Sequence, residues 1–145
     1  MTAETYGTRA LPELYKDWMA SGMVANIGSR LVEFGPGSVV LAGTFTAERH
    51  GFPTARGPIV HGGALATLAD EALATVAFTL AEEGETTVTA DLKVDFLRPG
   101  KPGSMLARAK VTHRTKRLAF CEVSVEHPDG EVVDEARAVI AYVRA

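Results

Sequence analysis

Two periodicities of apolar and polar positions divide the chain. From His61 to Glu82, Leu65, Leu68, Ala69, Ala72, Leu73, Val76 and Leu80 recur at helical spacing and cover one broad side, and Gly84 stops the run. A shorter helical pattern, Leu11, Leu14, Tyr15 and Trp18, predicts an amphipathic helix over Leu11–Met19 with Pro12 near its start, after a polar stretch, Met1–Arg9, expected to fray. Elsewhere the period is two. Over Thr87–Leu97, Val88, Ala90, Leu92, Val94 and Phe96 alternate with Thr87, Thr89, Asp91, Lys93 and Asp95, which predicts a strand with its apolar members on one face. Ser104–Arg114, Arg117–Glu126 and Glu131–Val143 read as further strands, the last two joined by the turn His127-Pro128-Asp129-Gly130. Arg30–Phe34 and Ser38–Thr46 form a hairpin around Gly35-Pro36-Gly37, and Gly51, Pro53, Gly57 and Pro58 make Ala47–Val60 a loop. The order predicts an α+β fold, an antiparallel sheet with one long helix across it. Residues 1–145 read as one domain, with 1–28 as an N-terminal helical extension.

Composition narrows the function. At 46% hydrophobic and 23% charged residues the chain is an ordinary globular domain, and its net charge of −3, without a lysine or arginine run, gives nucleic acid no electrostatic footing. Asp70 and Glu71 sit in the middle of the richest apolar segment, Ala64–Ala81, where a bilayer would penalise them, so no membrane partner is expected. The first ten residues show no secretory pattern, and a cytoplasmic protein is expected. Cys121 is the single cysteine and falls mid-strand, as a core thiol. His50, His61, His113 and His127 lack metal-ligand spacing, so no metal is expected, and no G-x-S-x-G elbow is present.

The long helix carries the chemistry. Asp70 points away from its apolar side, and its neighbours there, Gly63, Ala66, Ala74, Ala77 and Ala81, are all small. Such a strip implies that another surface or a ligand approaches closely; an alanine-rich interface across which Asp70 merely pairs is the alternative. At the helix start, Gly62 and Gly63 offer uncovered N–H groups at the positive end of the macrodipole, where a carbonyl oxygen gaining charge would be stabilised. His61 either orients that turn or touches substrate. Eight residues separate Gly62 from Asp70, about 12 Å along the axis, so one reacting centre cannot touch both. If both act on one bond, the carboxylate comes from a second subunit.

V-H-G-G-A-L-A-T-L-A-D-E-A, Val60–Ala72, followed by T-V-T-A-D-L-K-V-D-F-L-R-P-G, Thr87–Gly100, resembles the hotdog-fold acyl-CoA thioesterases of the phenylacetate-pathway (PaaI-like) group, over about Ser29–Val143. The resemblance implies a hotdog fold, an antiparallel sheet wrapped around one central helix, and hydrolysis of an acyl-CoA thioester to free acid and CoA. No cofactor is implied, because coenzyme A is part of the substrate. It places the carbonyl-binding N–H on Gly62, with Gly63 and His61 beside it, and makes Asp70 of a neighbouring subunit the nucleophile or general base. Thr89, two residues before Asp91, matches a Ser or Thr that positions the attacking water. The family's coenzyme A contacts fall on Phe96, Leu97, Arg98 and Lys101 and on Lys116, Arg117 and Leu118, whose cations would meet phosphates. A homodimer or a dimer of dimers, a homotetramer, is implied. Two features depart from the pattern. An Asn or Gln about six residues before the histidine is absent from Phe52–Val60, where Thr54 or Ala55 stands, and a helical Thr one turn after the acid is Ala74 here. Gly51-Phe52-Pro53 is similar to branches acting on fatty acyl-CoA. Two other readings stay open: a hydroxyacyl thioester dehydratase using His50 or His61 with Asp70, and a non-catalytic acyl-CoA binding module.

Overall fold

The computed structural model describes residues 4–144. In chain order the elements are α1 (Tyr6–Trp18), α2 (Gly22–Asn26), β1 (Arg30–Gly35), β2 (Ser38–Phe45), α3 (Ala47–His50), β3 (Gly51–Phe52), β4 (Ile59–Val60), α4 (Gly62–Phe78), β5 (Glu85–Phe96), β6 (Gly103–Arg114), β7 (Leu118–Glu126) and β8 (Val132–Arg144). Six strands form one antiparallel sheet in the order β1-β2-β6-β7-β8-β5, and β3 pairs with β4 apart from it. The sheet bends around α4. Among the described residues no helix is long and apolar enough to cross a membrane.

The helix lies close to the sheet because small residues line the sheet beneath it. Leu65, Leu68, Ala69, Ala72, Leu73 and Val76 are buried against Ala107, Ala109, Ala119, Ala136 and Ala138. At Gly43 even a Cβ would come within 3.1 Å of a Leu68 methyl. Each fully buried leucine or valine contributes about 1.5–3 kcal/mol, so this seam fixes where α4 begins and how it is rotated.

Several expectations are corrected. The first helix starts at Tyr6, not Leu11: Thr5 caps it by accepting from the Thr8 N–H, and Pro12 sits inside it. Residues 1–3 of the stretch expected to fray lie outside the described residues, and Tyr6–Arg9 are helical. The long helix is shorter than its apolar run, ending at Phe78 rather than Glu82, because the Thr79, Leu80 and Ala81 N–H groups turn back to Val76, Ala77 and Phe78 carbonyls. The expected loop 47–60 contains the helical turn α3, capped by Thr46, and the β3–β4 pair.

Two corrections bear on the site. Ala77 and Ala81 do not belong to an open strip. They are 0% and 1% exposed, because the sheet's Tyr142 hydroxyl donates to the Ala77 carbonyl (2.6 Å) and the Gly7 N–H of α1 donates to the Ala81 carbonyl (3.0 Å). In β5 the alternation breaks: Thr89 pairs with Ile140 and Asp91 with Val139, leaving Ala90 as the extra residue of a bulge. Before the bulge Thr87 and Thr89 face the helix while Val88 is half exposed; after it Leu92 and Val94 face the helix.

The docking of α1 depends on a glycine. A Cβ on Gly7 would lie 1.8 Å from the Phe78 carbonyl oxygen, a backbone atom that cannot swing aside. Gly7→Ala is expected to cost about 1–3 kcal/mol and lower the Tm by several degrees, read by thermal or urea unfolding.

Candidate active site

The start of α4 is anchored on three sides. The Val60 N–H donates to the Gly100 carbonyl (2.8 Å), the His61 N–H donates to the His50 carbonyl (2.7 Å), and His61 itself caps the helix with φ −57° and ψ 135°. Its Nδ1 accepts from the Gly63 N–H (2.9 Å), while the Ala64 and Leu65 N–H groups reach the His61 carbonyl (2.9 and 3.2 Å). This corrects the expectation of two bare donors. Gly63 is already engaged by the imidazole, and only the Gly62 N–H has no acceptor among the described residues. A cap that uses its own side chain on the second donor leaves the first aimed outward. Phe96 bounds this donor on one side, since a Cβ on Gly62 would meet its ring at 3.2 Å. His61 therefore acts on the helix end through its ring Nδ1.

Asp70, half-buried, stands on the open face of α4 with Ala66, Thr67 and Ala74. Its Oδ1 accepts from the Thr89 hydroxyl at 2.7 Å, so the bulge in β5 places Thr89 on the carboxylate. The next carboxyl, Glu71, is pushed up by burial, an effect partly opposed by its hydrogen bond from Thr75 and reinforced by the Asp70 charge. Gly62 and Asp70 remain about 12 Å apart on one straight helix, so the structure does not bring them to one reacting atom within a chain. His50 is held by hydrogen-bond partners at both ring nitrogens. It is buried, its Nδ1 accepts from the Thr46 N–H (3.0 Å), and its Nε2 lies 2.9 Å from Asn26 Oδ1.

The Thioesterase superfamily model matches residues 57–141. The chain belongs to the thioesterase superfamily. It is similar to the acyl-coenzyme A thioesterase PaaI of Escherichia coli K12, with 29% identity over 120 residues, 81% of this chain and 75% of that protein. Among solved structures, a Haemophilus influenzae thioesterase superposes with a TM-score of 0.81 at 20% identity, covering 91% of this chain and 90% of that one. The E. coli PaaI protein, from the phenylacetic acid degradation operon, superposes with a TM-score of 0.80 at 22% identity, covering 97% and 96%. The fold is the hotdog fold, and the superfamily match spans α4 and the four strands after it.

The other candidate residues of this superfamily member fall into two groups. Phe96, Leu97, Arg98 and Lys101 follow one another beside Gly62: the Leu97 N–H donates to the Val133 carbonyl (2.8 Å), Arg98 donates to the Val132 carbonyl, and the Lys101 N–H donates to His127 Nε2 (2.9 Å). Lys116, Arg117 and Leu118 lie elsewhere. The Arg117 carbonyl accepts from the Tyr142 N–H, and Tyr142 bonds Ala77, so this turn sits at the far end of α4, about 22 Å from Gly62 along the axis. Within one chain the two groups do not meet.

One residue was missed. Asp134 is 0% exposed, both its carboxylate oxygens lack a hydrogen-bond partner among the described residues, and its strand neighbours are Phe96 and Val125. The signal was legible: Asp134 is in phase with Ala136, Ala138, Ile140 and Tyr142, an acid at an apolar position. Burial raises its pKa to about 6 from 3.8. The proton is thus held in the folded state over a range where the unfolded chain has lost it. Stability is unpenalised below about pH 4, is withdrawn as pH rises towards about 6, and stays lower above that by about 2–3 kcal/mol. Asp134→Val should therefore raise the Tm at pH 7.5, with a much smaller gain at pH 4; equal gains at both would show that the carboxyl does not titrate this way.

Proposed function

We propose that this protein hydrolyses acyl-CoA thioesters at sites built between two copies of the chain. Water adds to the thioester carbonyl, the carbon–sulfur bond breaks, and free acid and coenzyme A thiol leave. The single observation that carries the reading is the lone free N–H of Gly62 at the head of α4, matched by a carboxylate eight residues away that its own chain cannot bring to the same atom. In an antiparallel pairing of two α4 helices, the carbonyl oxygen accepts from Gly62 of one copy while Asp70 of the partner subunit acts as general base or nucleophile. Thr89 holds that carboxylate by donating to one oxygen, leaving the other for water or carbon. The same pairing carries Lys116, Arg117 and Leu118 of the partner subunit towards Phe96, Leu97, Arg98 and Lys101, which gathers the cations for the phosphates of coenzyme A. A dimer, or a dimer of dimers, is the assembly this requires.

A binding module without turnover is the second reading, favoured by the missing amide side chain before His61. Thr54 and Ala55 lie in an exposed turn in which the Thr54 hydroxyl bonds the Gly57 carbonyl.

Backbone geometry supplies a probe of this donor, provided the exposed Phe96 ring gives way to the added Cβ, which would meet it at 3.2 Å. Gly62 is the first residue of α4 and His61 has the extended backbone that precedes proline, so Gly62→Pro deletes the N–H with little cost to the helix. Its kcat should fall about 10²–10³-fold, the usual effect of losing one oxyanion donor. Asp70→Asn should fall about 10²-fold or more while remaining folded. Mixed and re-equilibrated, the two inactive variants should recover about a quarter of wild-type thiol release, because half of the assemblies are hybrid and each hybrid rebuilds one of two sites. Hybrids shown by mass to have formed, yet inactive, would sink the shared site; coenzyme A binding without any thiol release by the wild type would support the binding module.

A further inference from the structure

We infer that Arg49 selects acyl groups ending in a second carboxylate, so that the preferred substrates are half-thioesters of dicarboxylic acids. This rests on the thioesterase reading above. A cleft of about 350 Å³ is lined by His61 and Gly63, which flank the carbonyl-binding N–H in the chain, and by Thr67, Asn26 and Arg49 among others. Gly62 is not itself on the lining, but both its chain neighbours are, so on this proposal an acyl group bound at Gly62 extends into the cleft. None of the described residues lining it is acidic, in a protein whose net charge is negative.

Arg49, an exposed cation on the cleft's lining, is placed by a built turn. Thr46 caps α3 through the Arg49 N–H (3.0 Å), buried His50 ties the turn to Asn26 and to the Thr46 N–H, and the His50 carbonyl accepts from His61. Gly51 closes the turn so tightly that a Cβ there would lie 2.3 Å from the Ala47 carbonyl oxygen. Arg49 is thus one residue and one hydrogen bond from the histidine that heads α4. Among the described residues its guanidinium has no carboxylate or carbonyl partner; only its backbone N–H is bonded. Asn26 adds to this polarity. Its amide oxygen lies against His50 Nε2, which leaves its NH2 as the free end. A guanidinium and an amide donor, with no acid among the described residues that line the cleft, fit a planar oxyanion, and a carboxylate can take both.

The test compares kcat/KM for succinyl-, glutaryl- and adipoyl-CoA with that for butanoyl-, pentanoyl- and hexanoyl-CoA, by thiol release. At the best chain length the diacid ester should lead its uncharged counterpart by about ten- to a hundredfold, the worth of one charge-assisted contact. Arg49→Gln should bring that ratio to about one, and Arg49→Lys should keep part of it. A ratio near one in the wild type, or one unmoved by Arg49→Gln, overturns the assignment while uncharged esters still turn over. Absence of thiol release from both series would instead bring down the thioesterase reading on which it stands.

Discussion

A single straight helix carries both groups to which the chemistry is assigned, and its rise of about 1.5 Å per residue holds them apart. α4 cannot bend to close the distance between Gly62 and Asp70. Its inner face is locked into a bed of alanines and Gly43, and its far end is pinned by Tyr142 and by α1. Side chains elsewhere are arranged around that rigidity. Thr89 meets Asp70 where it stands, Phe96 closes one flank of Gly62, and α3 closes another. On the proposed shared site, the same stiffness that stabilises the monomer is what calls for a second copy.

The helix start shows how the capping residue decides which backbone donors stay free. Serine or aspartate is the commoner cap, and either would satisfy an N–H of the first turn from the same position. Here histidine takes the Gly63 N–H and leaves that of Gly62, so the macrodipole end presents one directed donor. One such donor is typically worth about 3–4 kcal/mol against a developing oxyanion where water is excluded. Asp134 shows the opposite economy, a charge-bearing group kept in an apolar layer at a cost to stability, next to the strand end that carries Phe96.

Much of this was legible in the residues. The helical period of Leu65 to Val76 and the alternation in β6, β7 and β8 gave an α+β sheet with one helix because burial on one face demands those periods. The spacing of Gly62 and Asp70 gave the distance, since a helix has fixed rise. What escaped depended on contacts far apart in sequence. The bulge at Ala90 is set by pairing with β8, so the alternation of Val88 with Thr89 pointed the wrong way. Ala77 and Ala81 looked uncovered because nothing local announces that Tyr142 and Gly7 will reach them. The preoccupation of the Gly63 N–H required knowing the turn of the His61 ring, and the placing of Arg49 required knowing that residues 47–50 coil into a turn tied to His61.

The bulge bears on the proposed pairing of two copies. β5 ends the sheet, so along its outer side its backbone groups have no strand partner among the described residues, and Lys93, Asp91 and Asp95 are the charges that guard it. The Thr89–Asp70 bond ties that edge to the open strip of α4, which puts the free strand edge and the small-residue helix face on one side of the molecule. A partner related by a two-fold axis can then cover both at once, edge against edge and helix against helix, since an isologous contact applies the same pair of surfaces from each side. Had Ala90 not been extruded, the Thr89 hydroxyl would face away from α4, and the carboxylate would lose the contact that joins it to the strand.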